Sequence, residues 1–334
     1  MNEEENTEKE TEDAAKLKQM MEQMQAAEYR GLTEEEIEKK KQQKEMQKKK
    51  NMEILRDTLE ILEKGSYSKD GKEICLRYSS EEMREIQVYL PEEIQTLQLA
   101  GAETPSGKPC TFGCENADAL AVAGEKYRSL KAAGEAAPQV LVLNLASATQ
   151  PGGRTREGAS AQEEDLCRRT SLLLSLESKG AKKYYEYNNA RKTRMGSDAV
   201  MLSPYVEVLK DAKADTLPEP FPVSVLSCAA PMVRLGLEGM TQQEYEAMLC
   251  RRIRGMLKVA ASQNYRHLIL GAFGCGVYGN DAALVSDLFY RAIMEFGPDG
   301  TRDSLLFDSI DFAVLCSPEK DYNYREFARN FGRE

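Results

Sequence analysis

Hydrophobic and polar positions change rhythm along the 334 residues. Within the first fifty, apolar side chains are sparse. Leu17, Met20, Met21 and Met24 form one short stripe at helical spacing amid Glu, Lys and Gln. Met52, Leu55, Leu59 and Leu62 then recur at helical spacing, with Gly65 behind them as a C-cap. Glu73–Tyr78 and Glu85–Leu90 alternate as strands do. From residue 115 long helical patterns alternate with short apolar runs. Asn116–Ala133 reads as a helix, and Val140–Ala146 as a strand buried on both faces. Gln162–Leu176 reads as a helix and Val223–Cys228 as a buried strand. Thr241 and Glu244 form a capping box for a helix reaching about Gln263. Leu268–Ala272, Asp281–Phe296 and Ile310–Cys316 follow as strand, helix and strand. This alternation predicts the α/β class, with a central, largely parallel sheet between helical layers.

Composition narrows the field. Hydrophobic residues make up 41% of the chain, enough for a packed core. The 55 acidic against 45 basic side chains give a formal charge of -10, which opposes broad nucleic-acid binding; no sequence-specific nucleic-acid contact is expected. No window approaches the roughly 20 apolar residues of a membrane span. The acidic start lacks a signal-like apolar segment, so a cytoplasmic location is expected. Eight scattered cysteines then read as small buried hydrophobes. Cys110 and Cys114 have metal-like spacing, but no second Cys or His pair follows, and no metal is expected. The single histidine, His267, opens an apolar run and reads as a strand-edge residue.

Residues 1–50 form a charged helical or partly disordered extension. Thr33 and Glu36 make a capping box, and Glu35 with Lys39 and Glu36 with Lys40 are i,i+4 pairs. The segment reads as a solvated helix or as a docking helix for an unidentified partner. Residues 51–334 form the main domain. Thr104–Pro109 resembles a Walker A loop superficially, but Pro109 stands where Ser or Thr would bind magnesium.

Ligands in such sheets bind beyond the carboxyl ends of the strands. Two strand ends lead into glycine loops. The first carries Gln150, Pro151, Gly152, Gly153 and Arg154, then a helix opening on Gln162, Glu163 and Glu164. The second is Gly271–Asn280, including Gly274, Cys275, Gly276, Val277, Tyr278 and Gly279. It spells G-x-G-x-x-G, but a dinucleotide fold places that motif on its first strand, and only one strand is predicted downstream. Two glycine loops at neighbouring strand ends form a cradle suited to a diphosphate. On a helical wheel Glu163 falls beside Leu166, Thr170, Leu173 and Leu174, whereas Glu164 lies toward Arg168 and Ser171. Glu163 is therefore expected to be the more buried. Adjacent residues on a helix cannot oppose one another, so one carboxylate acts while the other holds. The helix dipole lowers a carboxyl pKa; burial beside a diphosphate would raise it as a general acid requires.

At these residues the chain resembles the microbial-type poly(ADP-ribose) glycohydrolases. Their PGGG loop and QEE are matched by Pro151-Gly152-Gly153 and Gln162-Glu163-Glu164, and their second signature by Gly271–Asn280. Further similarity lies at Tyr184-Tyr185, Ser203-Pro204 and Cys228–Pro231, across roughly residues 51–330. The resemblance implies a three-layer α/β/α macrodomain with a mostly parallel mixed sheet, comprising an accessory part (51–135) and a core (136–334), plus the N-terminal helical extension. It implies a glycosidase cleaving ribose–ribose bonds of poly(ADP-ribose) or related ADP-ribose adducts, without cofactor or metal; a non-catalytic ADP-ribose reader is the alternative. Glu164 would be the general acid/base and Glu163 would hold ribose hydroxyls. Gly152, Gly153, Gly274, Gly276 and Gly279 would bind diphosphate, with Gln150, Gln162, Cys275, Val277 and Tyr278 completing the substrate site. Three positions depart from the family pattern: Arg154 replaces the third glycine, Gln150 replaces Asn, and Met232 stands where Asn is usual. If position 154 needs positive φ, arginine there costs on the order of 1 kcal/mol or more.

Overall fold

The computed structural model describes Gln19 and residues 29–99, 109–297 and 299–332. The Leu17–Met24 stripe and positions 104–108 of the Walker-like loop lie outside the described residues. The chain divides into two compact units, Met1–Lys50 and Asn51–Glu334.

In the first unit the predicted capping box forms. Thr33 N–H donates to Glu36 Oε2 (2.8 Å), and Glu36 N–H donates to Thr33 Oγ1 (3.3 Å). Helix α1 (Glu34–Lys64) starts there and continues without a break into the second unit, where Leu55, Ile61 and Leu62 are buried. It ends at Gly65, whose φ is +70°. The two helical stretches of the sequence are thus one.

The second unit opens with a hairpin of β1 (Ser66–Lys69) and β2 (Lys72–Cys75), then β3 (Gln87–Tyr89) and α2 (Pro91–Thr96). β4 (Thr111–Glu115) precedes α3 (Ala119–Ala132), which Asp118 caps by accepting from two backbone N–H groups. β5 (Val140–Leu145) leads to α4 (Gln162–Arg169), α5 (Leu172–Leu176) and α6 (Lys182–Asn189). β6 (Val200–Lys210) and β7 (Thr216–Cys228) form a long antiparallel pair. α7 (Gln242–Ser262), β8 (His267–Leu270), α8 (Ala282–Met294), β9 (Ser309–Ala313) and α9 (Tyr322–Phe331) complete the unit.

Seven strands form one sheet in the order β3-β6-β7-β5-β8-β9-β4. β7, β5, β8, β9 and β4 pair in parallel; β3 and β6 add antiparallel pairs at one edge. Alternation along β5 shows the layers. Leu141 and Leu143 enter a core with α7, α8 and α9. Val140 and Val142 enter a second core with α3, α4 and α6. The domain is therefore a three-layer α/β/α sandwich with a mostly parallel mixed sheet.

The expected helix Gln162–Leu176 is two helices. Thr170 is extended (φ -138°, ψ 176°) and bridges Val208 of β6. Ser171 continues the link: its N–H donates to Glu207 O (3.1 Å) and its hydroxyl accepts from Glu207 N–H (2.9 Å). Pairing with the sheet outcompetes one more helical turn. The wheel that placed Thr170, Leu173 and Leu174 beside Glu163 therefore holds only as far as Arg169. Of the cysteines, Cys110, Cys114, Cys167, Cys228 and Cys250 are buried, whereas Cys75 is exposed.

Candidate active site

β5 and β8 are parallel neighbours in register from Val140↔His267 to Val142↔Ile269, so their following loops leave the same edge of the sheet. β7 runs parallel on the other side of β5 and ends level with it, at Leu145↔Cys228. Three strand ends therefore deliver residues 146–161, 229–241 and 271–281 to one place. His267 sits at the opposite end of β8. Its Nδ1 shares a hydrogen bond with Ser309 Oγ (3.0 Å), and burial lowers its pKa.

Gln162 fastens the carboxylate-bearing helix to the sheet. Pairing of β5 with β8 stops at Val142. The next groups in line take the Gln162 side chain instead: its Nε2 donates to Leu143 O (2.7 Å) and its Oε1 accepts from Leu145 N–H (2.8 Å). Both ends of the amide are thus occupied. Gln162, expected to contact substrate, here satisfies backbone groups of β5 that require partners.

Glu163 and Glu164 are both buried, at 3% and 7% exposure. Glu163 Oε2 accepts from Ser147 N–H (2.7 Å) and Oε1 from Asn144 Nδ2 (3.3 Å). Burial, opposed by these two bonds, pushes its pKa up to about 8. Glu164 is held by one oxygen: Oε1 accepts from Arg154 N–H (2.9 Å), and among the described residues nothing donates to Oε2. One carboxylate is fixed at both oxygens, the other at one.

Gly153 makes room for this pair. Its φ is +56°, and a Cβ there would lie 2.6 Å from Glu164 Oε1 and 3.0 Å from Glu163 Oε2. Its N–H, expected to contact a diphosphate, donates to Gln150 O (3.1 Å) and closes a turn. Arg154 has φ -104°, so the position does not need positive φ and arginine carries no left-handed strain there. Its guanidinium pairs with Glu157 (Nε–Oε2 2.9 Å). The far side of the loop is pinned by buried Asn51, whose Nδ2 donates to Gly158 O (2.8 Å) and Ser160 Oγ (2.9 Å).

The second loop is arranged differently. Gly274 has φ +73°, and a Cβ there would meet Asn280 Nδ2 at 2.3 Å and Ala230 Cβ at 2.6 Å. Asn280 occupies that space as a brace: Nδ2 donates to Pro231 O (2.8 Å) and Gly274 O (2.9 Å), and Oδ1 accepts from Tyr245 OH (2.7 Å). Cys275 N–H donates to Ala272 O (3.1 Å) and Gly279 N–H to Gly276 O (3.2 Å), so these two are spent within the loop. Among the described residues nothing accepts from the N–H groups of Gly276, Val277 and Tyr278. Arg234 donates to Gly276 O (2.7 Å) and Val277 O (2.8 Å). Carbonyl and following N–H are antiparallel across a planar peptide, so the N–H groups of Val277 and Tyr278 are turned away from Arg234. Three consecutive N–H groups of this kind suit an anion.

Tyr278 joins the loops. It is half-buried, and its hydroxyl feels the charges of both Glu163 and Glu164; burial first, then these carboxylates, raise its pKa to about 12. Tyr184 and Tyr185 are buried; burial raises both hydroxyl pKa values, with Cys228 and then Glu163 adding to it at Tyr184 and Glu163 at Tyr185. Gln150 is exposed beside the glycine turn, and Met232 is half-buried, its N–H donating to Arg194 O (3.0 Å). Among the described residues, no group of three or more His, Cys, Asp or Glu side chains is placed to hold a metal. Sequence reasoning missed Asn51, Asn144, Ser147 and Arg234. Only Asn144 leaves a trace, as the one polar side chain within the apolar run of β5.

Residues 55–211 match the family model for the microbial-type PARG catalytic domain. That match contains the glutamates but not the second glycine loop. No curated protein matches the chain. The fold is similar to the poly(ADP-ribose) glycohydrolase of Thermomonospora curvata, at 33% identity and TM-score 0.74, over 84% of this chain and 99% of that one. The same enzyme bound to the inhibitor ADP-HPD gives 32% and 0.72 over the same shares. The Deinococcus radiodurans poly(ADP-ribose) glycohydrolase in complex with ADP-ribose gives 30% and 0.64, over 77% and 98%. The chain belongs to the microbial-type poly(ADP-ribose) glycohydrolase family.

Proposed function

We propose that this protein hydrolyses the O-glycosidic ribose–ribose bonds of poly(ADP-ribose), with Glu164 as general acid and then general base. The observation that carries this reading is that the parallel strands β5 and β8 deliver both glycine loops to one end of the sheet, where Glu163 and Glu164 lie buried at the start of α4. A diphosphate on the N–H groups of Gly276, Val277 and Tyr278 would then present its attached ribose to the carboxylates.

The unheld Oε2 of Glu164 faces the bond. Protonated Glu164 gives its proton to the leaving ribose oxygen as the anomeric C–O bond breaks, leaving an oxocarbenium-like centre. The resulting carboxylate takes a proton from water as the water oxygen bonds to that carbon, which restores the acid and frees ADP-ribose. Glu163 anchors the sugar. Pushed up to about 8, it is largely neutral at pH 7 and retains a hydrogen to donate to a ribose hydroxyl. Val277, 63% exposed, lies at the rim of the loop. Gln150 stands beside the terminal ribose.

The test is release. Wild-type protein incubated with poly(ADP-ribose) and with mono-ADP-ribosylated protein should free ADP-ribose from the polymer. Protein that binds ADP-ribose yet frees none from either would be a reader, and the proposal would be withdrawn.

A further inference from the structure

The net charge of the chain hides a local reversal. Between Lys39 and Lys50 there are seven lysines and one glutamate, in a protein of formal charge -10. These residues lie on α1, exposed from Lys41 to Lys50 and with Lys40 half-exposed. Lys40, Lys44 and Lys48 recur every fourth residue, so they share one face at a rise of about 6 Å per step, with Lys41 beside them. Lys44 also lies 5.5 Å from the centre of the Tyr29 ring. Glu38 and Glu45 fall on the flank of that stripe. Over the same length the only large apolar side chain is Met46, 63% exposed. Such a helix has no apolar face with which to dock in a groove. Its complement is a run of negative charge.

We infer that the Lys40–Lys44–Lys48 face of the extension grips poly(ADP-ribose) itself, on residues that take no part in the cradle. The inference rests on the proposed function. Each unit of that polymer carries a diphosphate, and hence two negative charges. A polyanion approaching an acidic protein is repelled. A lysine stripe reverses this locally, by releasing the counterions condensed on the polymer. Because α1 runs unbroken into the catalytic unit, polymer held on the stripe stays at high effective concentration for the next cut. The device favours long substrates, whose many diphosphates offer the stripe more charge to hold. The stripe lies outside the part of the chain that matches the family model, residues 55–211.

The experiment uses the full chain and the triple variant Lys40→Glu, Lys44→Glu, Lys48→Glu, with helicity checked by circular dichroism. The triple Lys→Gln variant, which keeps length and helix propensity, is run beside it. Binding of fluorescent poly(ADP-ribose) is read by anisotropy between about 50 and about 200 mM salt. Hydrolysis is read on long polymer and on the ADP-ribose dimer. For Lys→Glu, polymer affinity should fall about tenfold or more, and the salt slope should flatten by about 2. KM should rise on long polymer, while kcat/KM on the dimer stays within about twofold. Unchanged polymer affinity and salt slope in both variants overturns the inference. So does loss of binding to single-stranded DNA of matched charge while polymer binding is retained, which would assign the stripe to nucleic acid. Wild-type protein that releases no ADP-ribose from either substrate refutes the hydrolase reading alone, because anisotropy measures polymer capture without turnover.

Discussion

The two glycine loops look alike in sequence and do opposite things with their backbones. In residues 146–161 two donors go to the protein's own carboxylates, Ser147 N–H to Glu163 and Arg154 N–H to Glu164, and most of the others close turns within the loop. Gly153 is there to clear space over both side chains. In residues 271–281 carbonyls are tied back by Arg234, and three successive N–H groups are left for a ligand. Glycine can thus serve room in one loop and donor access in the next. A motif that counts glycines cannot distinguish the two uses; a census of hydrogen-bond donors can.

The largest effect should come from the carboxylate loop. Glu164→Gln should lower kcat by about 10³-fold while ADP-ribose affinity, by calorimetry, changes less than about threefold. A parallel loss of affinity would mean that the loops do not divide chemistry from binding. Next, Gly153→Ala forces a Cβ against Glu164 Oε1 at a left-handed backbone position. We expect kcat to fall about 100-fold and the melting temperature to drop, since both carboxylates must shift. A wild-type rate would refute the room-making role.

The second loop should answer differently. The Cβ position of Gly276 has no atom within 4 Å, so Gly276→Val should leave the melting temperature unchanged yet weaken ADP-ribose binding about tenfold by blocking approach to the N–H groups. Gly274→Ala meets Asn280 and should instead destabilise the fold. If both variants affect only stability, the loop is a turn and nothing more. Arg234→Ala should weaken binding about tenfold, with kcat at saturation preserved.

The smallest effect is a pH dependence. Glu163 titrates near 8 when folded and near 4.5 when unfolded, so between these values the native state binds more protons. By linkage the penalty is absent below about 4.5 and grows as pH rises to about 8. From pH 6 to 9 the wild-type melting temperature should fall further than that of Glu163→Gln, by at least about 2 °C. Equal shifts would show that Glu163 titrates normally.

Much of this was legible because the signals are local. The caps at Thr33 and Thr241 form as read, and the apolar run of β5 is a strand buried on both faces. β6 was not legible. It carries Pro204, Glu207 and Lys210, which argue against a central strand until their partners are known. Pro204 sits where the register shifts between Ser203 and Val206. Buried Glu207 accepts from Arg77 N–H (2.9 Å), and buried Lys210 meets Asp57 at 2.6 Å. The break at Thr170 was missed for a related reason: it answers to β6, not to its neighbours in sequence. β4 escaped because a five-residue strand containing Gly113 and Cys114 has little pattern to read. At the site, residue types and order were readable, but which N–H groups remain free depends on contacts far apart along the chain.

The Gln162 amide has one further consequence. Because it docks onto main-chain groups of β5, the Glu163–Glu164 pair inherits its coordinates from a rigid plank and not from the connecting stretch that precedes it. That stretch could be shortened, lengthened or rewritten between Glu157 and Ser160 and still deliver the same chemistry, provided its two moorings survive.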